Sequence, residues 1–323
     1  MAAAPRVLSN GLLFRPLGVD ALHKLTNPSV TELYTVEGDD RLWVDSRELG
    51  RGPTEIRISS EQVEIFLNAV ASAVGVAFGP EAPMLSAELP GRGGRLQGFR
   101  PPVVASPVFV LRKPAEQVLS LAELVVQGFL PAREAEQLRW ALADHKTILV
   151  VGGTGTGKTT FLNSLLGELA EVCPEERIAI LEDTPELQCS APDRIRLRTS
   201  PGRTLYDLLD AVLRASPHRI VVGEVRDHSA LAMLDAWNTG HPGGLATLHA
   251  NSCPDALLRL STLIQRAGVP PQPQLIAATV SLVARLVGTN TRTRHLVELA
   301  EVAGWNAATG RFELHPLYER RSP

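Results

Sequence analysis

Apolar positions keep two different rhythms along this chain, and the change of rhythm divides it. In residues 1–113 short strand-like runs alternate with turn signals. Residues 33–36 and 42–44 read as strands joined by Glu37-Gly38-Asp39-Asp40, a hairpin turn. Val63, Phe66, Leu67, Val70 and Val74 then recur at three- and four-residue intervals, so they share one helix face. Ser59 or Ser60 supplies the N-cap of that helix and Gly75 its stop. Residues 84–89 and 95–99 flank Pro90-Gly91-Arg92-Gly93-Gly94, a second hairpin signal. Pro101-Pro102 breaks the chain, and 108–111 is a further strand. The first part is therefore read as a small α+β domain.

Residues 114–146 read as helical and lead into a second domain, 114–323. There, wholly apolar strands at 148–151, 178–181, 220–222 and 245–248 alternate with helices near 160–170, 204–215, 229–238, 254–266 and 273–287. That alternation implies an α/β domain with a mostly parallel, doubly wound sheet. Residues 296–302 and 312–317, around Ala307-Ala308-Thr309-Gly310, read as a closing hairpin.

Bulk properties narrow the class. The 323 residues suffice for about two domains. A net charge of −3 argues against a general affinity for nucleic acid, which needs a basic surface. No apolar stretch approaches the ~18 residues of a membrane span. Residues 1–16 lack the charged start and apolar core of a signal peptide. Cys173, Cys189 and Cys253 are far apart and odd in number, which fits reduced, packed thiols and neither a metal site nor a disulfide framework.

Candidate chemistry begins right after the strand Ile148-Leu149-Val150-Val151. Gly152, Gly153, Thr154, Gly155, Thr156, Gly157, Lys158, Thr159 and Thr160 match the phosphate-loop pattern between a buried strand and a helix. Glycines let the backbone curl so that several N–H groups and the helix N-terminus face one di- or triphosphate. Lys158 is placed to neutralise the β- and γ-phosphates, and the Thr159 hydroxyl to ligate Mg2+.

Three further strands carry reactive groups at the end where ligands of open α/β sheets bind. One ends in Leu181-Glu182-Asp183, one in Gly223-Glu224-Val225-Arg226, and one in Leu248-His249, with Gly240-His241 ahead of it. Phosphoryl transfer to water needs charge neutralisation, Mg2+ and an oriented water. Glu224 is assigned to orient or deprotonate that water. Glu182 is a second carboxylate for the metal's water shell or for the nucleophile, and Asp183 holds the loop. His249 senses the γ-phosphate or bridges Glu224 to the nucleotide, and His241 does the same across a subunit boundary. Thr159, Glu182 and Glu224 are thus the candidate metal residues.

These four segments, in this order, resemble the secretion and traffic ATPases, which power type II and type IV secretion, pilus assembly and conjugation. Their Walker A, Asp, Walker B and His boxes correspond to 152–160, 181–187, 220–226 and 239–251. Leu181-Glu-Asp-Thr-Pro-Glu-Leu-Gln-Cys189 and Ala236-Trp-Asn-Thr-Gly-His-Pro-Gly-Gly244 resemble the conjugative-transfer branch. The resemblance implies a RecA-like second domain and a homohexamer of stacked rings with ATP between the domains. It implies an Mg2+-dependent ATPase, peripheral on the cytoplasmic face of the inner membrane. Its partners would be inner-membrane secretion or conjugation channel components, without direct sequence-specific nucleic-acid binding. Arginines that complete such sites are sought at Arg112, Arg95, Arg196 and Arg198, while Arg226 is placed to hold Glu224. Asp227-His228-Ser229 departs from the relatives' small residues followed by glutamate. The Walker B strand lacks a metal-binding aspartate, so Mg2+ is expected on Thr159, phosphates and waters.

Alternative readings are a pilus-assembly or type II secretion ATPase, a nucleotide-gated scaffold with little turnover, and a monomeric small-molecule kinase. The kinase lacks a lid or second-substrate signature here.

Overall fold

The computed structural model of the chain describes residues 12–46, 49–89, 94–114, 118–288 and 293–320. It divides into two units, Met1–Glu116 and Gln117–Pro323.

In the first unit a helix α1 (Val19–Thr26) precedes strands β1 (Val30–Val36), β2 (Asp39–Ser46) and β3 (Gly50–Arg57), helix α2 (Ser60–Val74), and strands β4 (Met84–Glu88), β5 (Arg95–Phe99) and β6 (Val108–Arg112). The strands form one antiparallel sheet in the order β3-β2-β1-β6-β5-β4. Ser59 and Gln62 form a reciprocal capping box, which satisfies two N–H groups at the start of α2. The apolar face of α2, Val63, Phe66, Leu67 and Val70, packs on Leu33, Leu42, Leu85, Leu96 and Phe109 of the sheet. The turn read at Pro90 to Gly93 lies outside the described residues. Strand β3 has no counterpart in the sequence reading. Its Gly50-Arg-Gly-Pro53 start has no apolar rhythm, and pairing with β2 at the sheet edge forms it, where Pro53 costs no ladder bond.

The second unit corrects two expectations. Residues 114–146 are not one helical stretch. Helix α3 (Leu121–Val126) and helix α4 (Ala132–Ala143) are separated by Gln127-Gly-Phe-Leu-Pro131, in which Gly128 has φ 70° and Pro131 caps the second helix. The chain continues through strand β7 (Ile148–Gly152), helix α5 (Lys158–Val172), strands β8 (Ile178–Glu182) and β9 (Arg194–Arg198), and helix α6 (Leu205–Val212). Strand β10 (Arg219–Val222), helix α7 (Ser229–Asn238), strand β11 (Leu245–Leu248), and helices α8 (Cys253–Gln265) and α9 (Pro273–Thr279) follow. The last strands are β12 (Leu282–Val287), β13 (His295–Asn306) and β14 (Arg311–Glu319). The helix expected over 273–287 thus stops at Thr279, and its second half is a strand. Leu282, Ala284 and Leu286 enter one core and Val283 the other, a period of two that fits a strand between β7 and β13.

The sheet order is β14-β13-β12-β7-β11-β10-β8-β9, parallel from β12 to β9 and antiparallel at β13 and β14. Ile148 and Val150 of β7 meet Phe161, Leu162 and Leu165 of α5, while Leu149 and Val151 face the core of α6 to α9. Helices therefore cover both faces, which is why these strands are apolar throughout. Strand β9, Arg-Ile-Arg-Leu-Arg, is exposed on alternate residues at the edge and was not foreseen.

Candidate active site

The turn from β7 into α5 is tight enough to dictate its residues. A Cβ on Gly152 would lie 2.6 Å from the Leu286 carbonyl oxygen and 2.7 Å from Thr156 Oγ1. Gly157 is the N-cap of α5 with φ 92°, a conformation that favours glycine. Thr156 Oγ1 donates to the Gly153 carbonyl at 3.0 Å and closes the loop on itself. The helix then begins at Lys158, and Thr159 and Thr160 lie in its first turn. The N–H groups of that turn and the helix dipole favour an anion. Lys158 is buried, and its Nζ donates to the carbonyls of Gly152 at 3.0 Å and Gly153 at 2.9 Å. This cradle of glycine backbone with one buried ammonium fits a nucleotide phosphate chain.

Strands β10 and β11 deliver the next groups. Thr247 Oγ1 donates to the Gly223 carbonyl at 2.6 Å, and the Val225 N–H to the Thr247 carbonyl at 3.0 Å. These bonds hold the two strand ends together. Glu224 Oε1 then stands 3.1 Å from His249 Nε2, and Glu224 Oε2 accepts from Arg226 Nη2 at 2.5 Å. His249 Nδ1 lies 3.4 Å from Lys158 Nζ. Lysine, histidine, glutamate and arginine thus form one connected row beside the phosphate loop.

Their charges are mutually set. Burial pushes the Glu224 carboxyl up, but the Arg226 hydrogen bond and the neighbouring cations outweigh it, and the net shift is downward. Burial and the Lys158 ammonium lower His249, against partial opposition from Glu224. The resting pair at neutral pH is therefore a carboxylate beside a neutral imidazole, with Arg226 and Lys158 as the balancing charges.

Glu182 is engaged elsewhere. Its Oε1 accepts the Glu186 N–H at 2.9 Å and the Leu187 N–H at 2.7 Å, and Arg196 Nη2 lies 3.7 Å from Oε2. Burial raises its pKa, offset in part by those two backbone donors and Arg196. Asn163 of α5 secures the same loop, donating to the Glu186 carbonyl at 3.2 Å and accepting from the Gln188 N–H at 2.8 Å. Asp183 accepts from Thr199 Oγ1 at 3.2 Å and lies 3.8 Å from Arg226 Nη1. Asp227, at the departure from the relatives' pattern, accepts the Ser229 N–H at 2.9 Å at the start of α7.

Within the second unit, His241, Arg196 and Arg198 lie apart from this row. His241 Nδ1 is 2.8 Å from the Pro217 carbonyl oxygen. Pro217 precedes β10 and His241 precedes β11, so this contact sits at the opposite strand ends from the phosphate loop. Arg198 ends the exposed edge strand β9, opposite Glu182 in register, and Arg196 donates to the Leu187 carbonyl at 2.6 Å. Arg95 and Arg112 face each other across β5 and β6 in the first unit. Among the described residues no group of three or more His, Cys, Asp or Glu side chains is placed to hold a metal. Sequence reasoning missed Asn163 and also Arg294, whose Nε donates to the Gly155 carbonyl at 2.8 Å.

A parallel sheet with a phosphate loop on β7 and a carboxylate–histidine pair on the adjoining strands defines a P-loop ATPase. Residues 80–314 match the family described as Type II/IV secretion system protein, and the chain belongs to that family of secretion ATPases. A probable conjugal transfer protein TrbB of Sinorhizobium fredii is 38% identical over 298 residues, covering 92% of this chain and 90% of that protein. The type IV secretion system protein PtlH of Bordetella pertussis is 33% identical, covering 76% of this chain and 80% of its own length. The X-ray structure of the Legionella pneumophila ATPase DotB shares the fold, with a TM-score of 0.61 at 20% identity over 86% of this chain and 78% of that one.

Proposed function

We propose that this chain hydrolyses ATP with Mg2+ as a homohexamer and drives conformational change in a type IV secretion or conjugative transfer machine. The observation that carries the reading is the continuous row Lys158–His249–Glu224–Arg226 beside the phosphate loop. The likeness to a conjugal transfer protein across nine-tenths of both chains favours conjugation over pilus assembly.

Backbone N–H groups at the start of α5 and Lys158 hold the phosphates. Glu224, kept ionised by Arg226, accepts a proton from or orients the attacking water, and His249 links that carboxylate to the phosphate end of Lys158. Glu182 acts at one remove, by fixing the loop that follows β8 and packing behind Gly223. The Thr159 hydroxyl is the protein group that would hold Mg2+, which would supply charge neutralisation for the phosphates. Arg112, Arg198 and His241 are candidates for contacts with neighbouring copies.

Among the described residues no helix is long and apolar enough to cross a membrane. A peripheral position at the cytoplasmic face of the inner membrane, against the channel components, follows from the proposed role. The test is turnover: Lys158→Ala abolishes ATP hydrolysis, and light scattering with ATP and Mg2+ gives the hexamer mass. A stable monomer without turnover under all conditions overturns the reading.

A further inference from the structure

A contact spanning 139 residues of sequence joins Arg294 to the phosphate loop, and no role above uses it. Strand β12 runs parallel to β7 with Leu286 opposite Gly152, the first residue of the loop. Two residues beyond Leu286, Gly288 (φ 90°) lies against the returning strand. A Cβ there would meet the Thr293 carbonyl oxygen at 2.1 Å and the Arg294 nitrogen at 2.5 Å. Both arms of the β12–β13 hairpin are thereby seated on the phosphate loop. Arg294 itself is half-buried; its Nε donates to the Gly155 carbonyl, and its Cδ lies 3.4 Å from where a Cβ of Gly157 would be.

Sheet order gives this contact a side. Strand β7 stands between β11 and β12. His249, on the β11 side, and Glu224, on β10 beyond it, gather where the transferred phosphate reacts. Arg294 arrives from the β12 side, over Gly155 and the N-cap of α5, where the part of the nucleotide that is not transferred would lie. A guanidinium is permanently charged and presents a planar fork of donors that suits phosphate oxygens. Anchoring Nε to a loop carbonyl fixes the plane of that fork.

We infer that Arg294 is a nucleotide-binding residue supplied in cis, a second cation beside Lys158 that contacts the α- and β-phosphates. This rests on the ATP site proposed above. Because ADP retains those phosphates, the residue acts on substrate and product alike, and it ties the carboxy-terminal hairpin to the bound nucleotide.

The experiment is equilibrium binding of a fluorescent ADP analogue to the full chain, with ATP hydrolysis kinetics alongside. Wild type, Lys158→Ala, Arg294→Ala and Arg294→Lys are compared, and each variant's unfolding is measured without nucleotide to verify the fold. Arg294→Ala is expected to weaken ADP binding about tenfold, the scale of one charge-assisted hydrogen bond, and to raise KM for ATP by more than it lowers kcat. Arg294→Lys, which keeps the charge and loses the fork, is expected to recover part of the affinity. ADP binding by folded Arg294→Ala equal to wild type overturns the inference while leaving the ATP site intact. Affinity in Arg294→Lys as poor as in Arg294→Ala, or a fall in kcat at unchanged KM, also overturns it. Failure of wild type itself to bind ADP removes the ATP site and this inference together.

Discussion

Arg226 Nη2 lies 2.5 Å from Glu224 Oε2, and this pairing decides the charge state of the candidate base. Burial alone would favour the protonated acid; Arg226 reverses that preference. In Arg226→Ala the carboxyl pKa rises, so the acid limb of the pH–kcat profile moves to higher pH and turnover at pH 7 falls about tenfold. A profile unmoved by the substitution would dissociate Arg226 from Glu224.

In wild type the same profile has a predictable edge. The His249 pKa is lowered from the ordinary imidazole value of 6.5, so the neutral ring persists below that pH. Glu224 also stays ionised below its usual carboxylate range. ATP turnover is therefore expected to be flat from pH 8 to about pH 6.5 and to decline only below it. Steady-state rates across this range, with salt held constant, check the position of the decline.

Replacing Glu224 by glutamine keeps the shape and removes the charge. Turnover is expected to fall by about a hundredfold or more while ATP remains bound. Rapid filtration of labelled ATP with Glu224→Gln reads both quantities; turnover at the wild-type rate rules out the assigned role.

Glu182 makes a contrasting case. Alanine there leaves the Glu186 and Leu187 N–H groups without their acceptor, a loss of about 2 kcal/mol of stability. Glutamine retains an acceptor oxygen and is expected to remain close to wild type in Tm. The raised pKa of Glu182 means the folded chain holds that proton more tightly than the unfolded chain. Its contribution is thus full at low pH and lost as pH rises through the raised value, so Glu182→Gln gains on wild type between pH 4 and pH 8. Thermal unfolding at the two pH values measures the difference.

Arg219 tests the far end of the sheet. Fully buried, it meets Glu176 at 2.6 Å, the Leu142 carbonyl at 2.8 Å and the Gly243 carbonyl at 3.3 Å. Arg219→Met leaves two carbonyls without their guanidinium donor and Glu176 with only His145, at 2.8 Å, for a loss of about 3 kcal/mol. Denaturant titration of the full chain reads it.

The gathering of the candidate residues was legible because each element ends in its own reactive group: Lys158 after β7, Glu224 after β10 and His249 after β11. His241 stands near His249 in sequence, but β11 runs between them and carries the two to opposite ends of the sheet. The apolar run through Val287 suits a helix or a strand, and only the empty place beside β7 decides between them. Reading it as helix hid the hairpin and with it Arg294. Glu182 was read as a second carboxylate for the metal's water shell or for the nucleophile, and local sequence could not show the two backbone amides that donate to its Oε1.

The Lys158 ammonium already has two oxygen acceptors within the loop it serves. In the proposed ATP site an arriving phosphate would have to displace those contacts, and a departing one would return the ammonium to them. A charged phosphate is a stronger partner for the ammonium than two neutral carbonyls, so the exchange still favours the bound nucleotide, by less than a bare ammonium would give.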